Sequence, residues 1–183
     1  MQPRYLFPAL LAGAFAFLPA ASAQQKAKQE CATQNGQFAE VRFCVSSALA
    51  PQAENKYGPE IFVEADEKKA WCEGVVGYGI GESVTIHFKP AVRLQEFSFA
   101  NGYSKTPETF KNNSRVKQLR IQTSDGFATV VTVPDKSDAH TIKLPRPVKP
   151  QWVRFTIAEV YPGARGSDSC ISGIFPNLEQ LNN

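Results

Sequence analysis

The chain has 183 residues, with 20 lysines and arginines against 17 aspartates and glutamates and a formal net charge of +3. The basic side chains are scattered, without the clustered run or aromatic interleaving needed to track a phosphate backbone, so nucleic acid is not an expected partner. The length suits one domain with a core of its own.

Arg4 is followed by an apolar stretch, Tyr5 to Leu18, and then by small residues ending in Ala21-Ser22-Ala23. This is the pattern of a secretory signal peptide over residues 1–23. Pro8 and Gly13 interrupt the stretch, and it falls short of the roughly 20 residues that cross a bilayer as a helix. No membrane span is therefore expected after cleavage, and the protein is expected to be secreted or periplasmic. No cysteine follows the small residues, so lipid attachment is not indicated.

All four cysteines, Cys31, Cys44, Cys72 and Cys170, lie beyond the cleavage point. An even number in an exported chain reads as two disulfides, and the spacing is not that of a zinc site. Three pairings are open. The one expected joins Cys31 to Cys44 in a short local loop and Cys72 to Cys170 across the length of the main domain.

Residues 24–56 read as an N-terminal extension, with Gln24 to Gln29 a tail and Phe38, Val41 and Phe43 packing on the domain formed by residues 57–183. After Tyr57 the chain turns to short β-rich runs. Ser83 to Phe88 alternates polar with apolar residues, the period of a half-buried strand. Val92 to Phe99 changes its apolar parity along its length, which a β-bulge near Glu96 explains. Val116 to Thr123, Phe127 to Val133, His140 to Leu144, Trp152 to Val160 and Ile171 to Phe175 follow, separated by turns at Lys89-Pro90, Ser124-Asp125-Gly126, Pro134-Asp135, Pro145 to Pro150 and Pro162-Gly163. Many short strands without a long amphipathic helix make the fold all-β, a sandwich or barrel.

Because successive antiparallel strands reverse, the longer connections, Gly74 to Gly81, Ala100 to Ser114, Pro134 to Ala139 and Tyr161 to Ser169, are expected at one end. Loops on a rigid scaffold are where binding usually sits. The candidate ligand-binding residues are thus Tyr78, Tyr103 and Tyr161, whose rings can face a sugar, and Asn113, Arg115, Arg165 and Asp168, which can hydrogen-bond one. Arg115 and Asp168 could equally pair with each other to brace two loops. Trp71 and Trp152 read as packing aromatics, and His87 and His140 as surface or edge residues.

The segments Ala70-Trp71-Cys72-Glu73-Gly74 and Gly77-Tyr78-Gly79-Ile80-Gly81-Glu82 resemble the opening of a discoidin-like module related to coagulation-factor type C domains. More closely, they resemble the glycan-binding-type translocation domain of bacterial NAD glycohydrolases. The likeness continues through Asn101-Gly102-Tyr103-Ser104-Lys105, Asn113-Ser114-Arg115-Val116-Lys117, Val160-Tyr161-Pro162-Gly163 and Asp168-Ser169-Cys170-Ile171-Ser172. It implies a galactose-binding-like jelly-roll β-sandwich, often a targeting module beside an enzyme. Relatives often carry a structural calcium, but a threonine of their calcium segment is here Lys69 and a frequent glutamate is Gly173, so no metal is expected.

Neither a cofactor nor catalysis is expected. The chain has no G-x-S-x-G elbow, no H-E-x-x-H and no free cysteine, and Gly77 to Gly81 lacks the spacing and helix of a dinucleotide loop. Glycoside hydrolysis needs two carboxylates flanking the bond, and Glu73, Glu82, Glu108 and Asp168 form no evident pair. The expected function is a non-catalytic, exported module binding a glycan or cell-envelope polysaccharide through its end loops. A protein–protein adaptor or inhibitor in the envelope is the alternative, and a cryptic enzyme the second. If the processing signal is read correctly, the intact mass of the exported protein will correspond to a chain beginning at Gln24, and a retained Met1 would exclude that reading.

Overall fold

A computed structural model of the chain describes residues 29–37, 39–66 and 68–178. The signal peptide, the tail to Lys28 and Phe38 lie outside the described residues. Ten strands are present: β1 (Glu30–Asn35), β2 (Glu40–Val45), β3 (Trp71–Cys72), β4 (Ser83–Lys89), β5 (Leu94–Asn101), β6 (Ser114–Thr123), β7 (Ala128–Thr132), β8 (His140–Val148), β9 (Trp152–Tyr161) and β10 (Ser169–Pro176). Two short helices, α1 (Ile61–Glu64) and α2 (Pro107–Asn112), lie in the connections.

The strands follow one another in the order β1-β2-β4-β9-β6-β10-β5-β8, with β3 paired to β10 and β7 to β6. All pairings are antiparallel except β6 with β10. Alternation sets which side of each strand faces inward. Val84, Ile86 and Phe88 of β4 are buried, as are Val153, Phe155 and Ile157 of β9, and they meet Leu94, Phe97 and Phe99 of β5. The rings of Phe97 and Phe155 pack edge to face with centroids 4.9 Å apart. β10 is buried continuously from Ser169 to Ile174 because it has neighbours on both edges and lies inside the sandwich. β2 adds Val41, Phe43 and Val45 to the same core, and Phe43 stacks on Phe62 of α1 at 5.4 Å.

The strands read from the alternation are present, and a register irregularity between Leu94 and Glu96 lies where the parity change indicates a bulge. Two readings need correction. The stretch from Pro145 is not wholly a turn: β8 continues through Pro145 and Pro147 to Val148, and both prolines fall in the register irregularity between Lys143 and Val148, where no ladder bond is lost. His140 is not a surface residue. Its ring stands edge-on to Phe99 at 5.6 Å, both ring nitrogens are shielded from solvent, and burial holds its pKa below the usual histidine value.

Both disulfides join directly opposed residues, Cys31 with Cys44 across β1 and β2, and Cys72 with Cys170 across β3 and β10. At the end of the sandwich reached by the long connections, polar side chains tie one loop to the next. Buried Asn101 accepts from Val116 N and donates to the carbonyls of Val116 and Pro134. Ser169 Oγ donates to Tyr78 O at 2.8 Å, and Tyr161 donates its hydroxyl to Val133 O at 3.1 Å. Arg115 makes the strongest tie. Its guanidinium forms two 2.9 Å bonds to the Asp135 carboxylate, donates to the carbonyls of Asn113 and Pro162, and lies over the Phe110 ring. Gly102, at φ +69°, passes directly under this group, and a Cβ there would come within 2.6 Å of Arg115 Cγ.

Two outcomes follow for stability. Replacing Cys72 and Cys170 together by alanine removes the closure of a 98-residue separation. It should cost up to about 4–5 kcal/mol in thermal or urea unfolding, whereas non-reducing peptide maps of the native protein should show the two pairs and no free thiol. Arg115→Ala should lower stability by about 1–3 kcal/mol, since it removes two charge-assisted bonds and two bonds to carbonyls, while the exposed Asp135 carboxylate rehydrates. A variant that melts with the parent would show that the brace contributes nothing.

Candidate functional site

The Cys72–Cys170 disulfide sits beneath a cleft of about 330 Å³ at the loop end. One wall is Leu49, Gln52, Asn55 and Tyr57, from the chain that precedes β3. It is held there because Leu49 N donates to Cys72 O and Cys72 N to Tyr57 O. The opposite wall comes from the connection between β5 and β6, with Tyr103, Lys105, Thr106, Thr109 and Asn113, and Asp168 approaches just before β10.

Local sequence explains that second wall. Thr106 is the N-cap of α2, with Pro107 in the first turn, and its hydroxyl and that of Thr109 cap each other's backbone N–H. Thr109 also donates to Tyr103 O, so the cap fixes the tyrosine as well as the helix. At the other end of α2, Asn113 Nδ2 donates to Thr109 O at 2.9 Å.

Tyr103 and Tyr57 form the aromatic floor, edge to face at 6.2 Å and each 7% exposed. Burial raises both phenol pKa values, with Asp168 adding to the rise at Tyr57. Asn55 Oδ1 accepts from Lys105 Nζ at 3.2 Å and lies 3.4 Å from the Tyr103 hydroxyl. The cleft thus offers an amide, an ammonium, a carboxylate and two threonine hydroxyls above a recessed aromatic floor. That set can hydrogen-bond a polyhydroxylated ligand on several sides.

Of the residues singled out in the sequence, the cleft brings together Tyr103, Asn113 and Asp168. Arg115 is occupied by its brace, and its ionic partner is Asp135, not the Asp168 considered above. Tyr161 closes its own end of the structure on Val133. Arg165 is exposed on the connection from β9 to β10, and only its backbone N–H is bonded, to Asn112 O. Tyr78 stands on a separate exposed loop with Val75, Val76 and Ile80.

That loop is anchored by Glu73, which is fully buried and accepts from Val75 N and Ser169 N. Burial raises the Glu73 pKa; the two N–H bonds oppose the rise, while Asp168 and Glu82 add to it. The contribution of Glu73 to stability is therefore full below the ordinary glutamate pKa and lessens as pH rises through the raised value. Gln52, Asn55, Tyr57 and Lys105 are not among the candidate site residues, although Lys105 ends the family-like segment Asn101 to Lys105 and the Thr106-Pro107 helix-start signal follows it.

Lys69, at the position compared with a calcium ligand, is paired with Glu64. Among the described residues no group of three or more His, Cys, Asp or Glu side chains is placed to hold a metal ion.

Comparison with solved structures places the fold. The family 32 carbohydrate-binding module of Clostridium perfringens NanJ, determined with galactose, is similar at a TM-score of 0.55 and 13% identity, over 74% of this chain and 92% of that one. A family 32 module of a C. perfringens family 89 protein, bound to GalNAc-β-1,3-galactose, gives 0.56 and 13%, over 74% and 94%. The family 32 module of Streptococcus pneumoniae EndoD gives 0.54 and 14%, over 75% and 96%. At these identities the likeness concerns the fold, a galactose-binding-like, discoidin-type β-sandwich. No curated protein matches the sequence. The model of the NAD glycohydrolase translocation F5/8 type C domain matches residues 35–176, nearly all of the described structure, and the chain belongs to that family.

Proposed function

We propose that the protein is an exported, non-catalytic module that binds a glycan in the end-loop cleft. The observation that carries this reading is the cleft itself, in which Asn55, Lys105, Asn113 and Asp168 surround the floor of Tyr57 and Tyr103. Its structural neighbours are carbohydrate-binding modules, two of them determined with galactose or a galactose-containing disaccharide. Two disulfides support an oxidising location outside the cytoplasm. Among the described residues no helix is long and apolar enough to cross a membrane.

The carboxylates support a binding role over glycoside hydrolysis. Asp168 lines the cleft, whereas Glu73 is buried under its loop, Glu108 lies on exposed α2 and Glu82 accepts from Ser46 and Ser47. Among the described residues Asp168 is the one carboxylate lining the cleft, whereas glycoside hydrolysis needs a pair.

The alternative, an envelope adaptor or inhibitor acting on a protein, has its support in the exposed apolar loop of Val75, Val76, Tyr78 and Ile80. Large exposed apolar side chains gathered in one loop suit a protein contact better than a sugar.

A glycan array probed with the mature protein separates the two. A neutral galactose-type ligand should bind weakly, at about 0.1–1 mM, because few contacts must offset the loss of ligand freedom. Tyr103→Phe, Lys105→Ala and Asp168→Ala should each weaken it by about 3- to 10-fold, the worth of one hydrogen bond, with unchanged melting. An array without any bound glycan, together with co-purification of a stoichiometric protein through the Val75–Ile80 loop, would favour the adaptor.

A further inference from the structure

Outside the cleft, the outer face of the sheet carries charge that neither the packing nor the cleft uses. Strands β2, β4, β9 and β6 lie side by side, and their inward residues fill the core, so alternate residues point outward. In register, Arg42 is opposite His87 and His87 opposite Trp152. One row on, Arg154 lies between Thr85 and Gln122, and in the next row Arg120 is opposite Thr156. With strands about 4.8 Å apart and same-face rows about 6.8 Å apart, Arg42 and Arg120 lie about 20 Å apart on the diagonal, with Arg154 between them.

Arg42, Arg120 and Arg154 are all exposed. Among the described residues the ion pairs are Lys69 with Glu64, Arg115 with Asp135, Lys117 with Glu159 and Lys143 with Glu96, and none uses these three. Arg154 is held in place, donating from Nε to Thr85 Oγ1 at 3.2 Å with its guanidinium 5.4 Å from the centre of the Trp152 ring. The flanking carboxylates are at the margins, Glu40 opposite Lys89 at one end and Glu159 paired with Lys117 at the other. Arg42 and Arg154 both act on His87 and, after burial, help to lower its pKa. Glu40 stands one row from Arg42 on the same face, opposite Lys89, so the face carries an excess of positive charge, and such an excess favours binding of an anion.

We propose that this face is a docking surface for an extended acidic polysaccharide whose carboxylates are taken by Arg42, Arg154 and Arg120. The guanidinium fork matches a carboxylate in two parallel hydrogen bonds. Between the arginines stand Thr156 and Gln122, hydroxyl and amide groups suited to sugar hydroxyls. A flat sheet face meets an extended chain along several residues. A membrane surface is matched less well: among the described residues the large apolar side chains here are Val130, at the margin on β7 opposite Arg120, and the half-buried Trp152, which lies against the Arg154 guanidinium. The proposal does not depend on the cleft.

The test is binding of polygalacturonate to the mature protein by titration calorimetry at low and physiological salt, with neutral dextran, duplex DNA and phosphatidylglycerol vesicles as parallel probes. Polygalacturonate should bind at low salt and weaken as salt rises, and dextran should not bind. The R42Q/R120Q/R154Q variant should lose about 10-fold or more in affinity, from a few-fold per charge contact, while Asp168→Ala in the cleft leaves it unchanged. If the triple variant melts early, R42Q/R120Q, which touches neither Thr85 nor Trp152, serves instead, with an expected loss of about 5-fold. Absence of polygalacturonate binding at low salt, unchanged affinity in a folded arginine variant, or DNA or vesicles bound as tightly through the same arginines would each overturn the proposal.

Discussion

The bond between Cys72 and Cys170 is the constraint on which the loop end with its cleft depends. β3 is only two residues long, and the disulfide fixes it to β10, the most enclosed strand of the sandwich. From that junction the chain reaches both sides of the cleft. The segment carrying Leu49 to Tyr57 is bonded to Cys72, and Asp168 is two residues before Cys170. A covalent link to a continuously buried strand thus sets the position of groups that would otherwise sit on separate loops, and preorganised groups lose less entropy on binding a ligand.

Arg115 does similar work by electrostatic means. It joins the start of β6 to the connection after β7 and the turn after β9, and it does so while 9% exposed, where its hydrogen bonds are shielded from water. An arginine at the end of a lectin-like fold invites assignment to the ligand, yet each nitrogen of this one is already committed within the protein. The arginines of the β2–β4–β9–β6 face are the reverse case, exposed and without ionic partners among the described residues, so the chain divides its guanidinium groups between construction and surface charge.

Much of the architecture was legible because it rests on local rules. Ser83 to Phe88 alternates as a strand on a core must, and the parity change before Phe97 marks an irregularity that the backbone contains. The disulfides were legible from location and loop length. The cleft was legible only in part. Tyr103, Asn113 and Asp168 lie in the main β-rich region, but Gln52 and Asn55 join them from a segment whose place is set by hydrogen bonds to β3, a non-local fact without periodicity. Pro145 and Pro147 misled for a physical reason: proline marks a turn wherever its missing N–H matters, and in this irregular stretch it does not.

Those two prolines have a further consequence. β8 ends the strand order, and among the described residues its outer side has no neighbour. A strand in that position ordinarily presents a row of donors and acceptors to which another chain can add. Here β8 is irregular over the stretch that carries Pro145 and Pro147, which denies an incoming strand a continuous ladder. The edge is thereby made a poor template for self-association, which protects an isolated domain from polymerising through its own sheet.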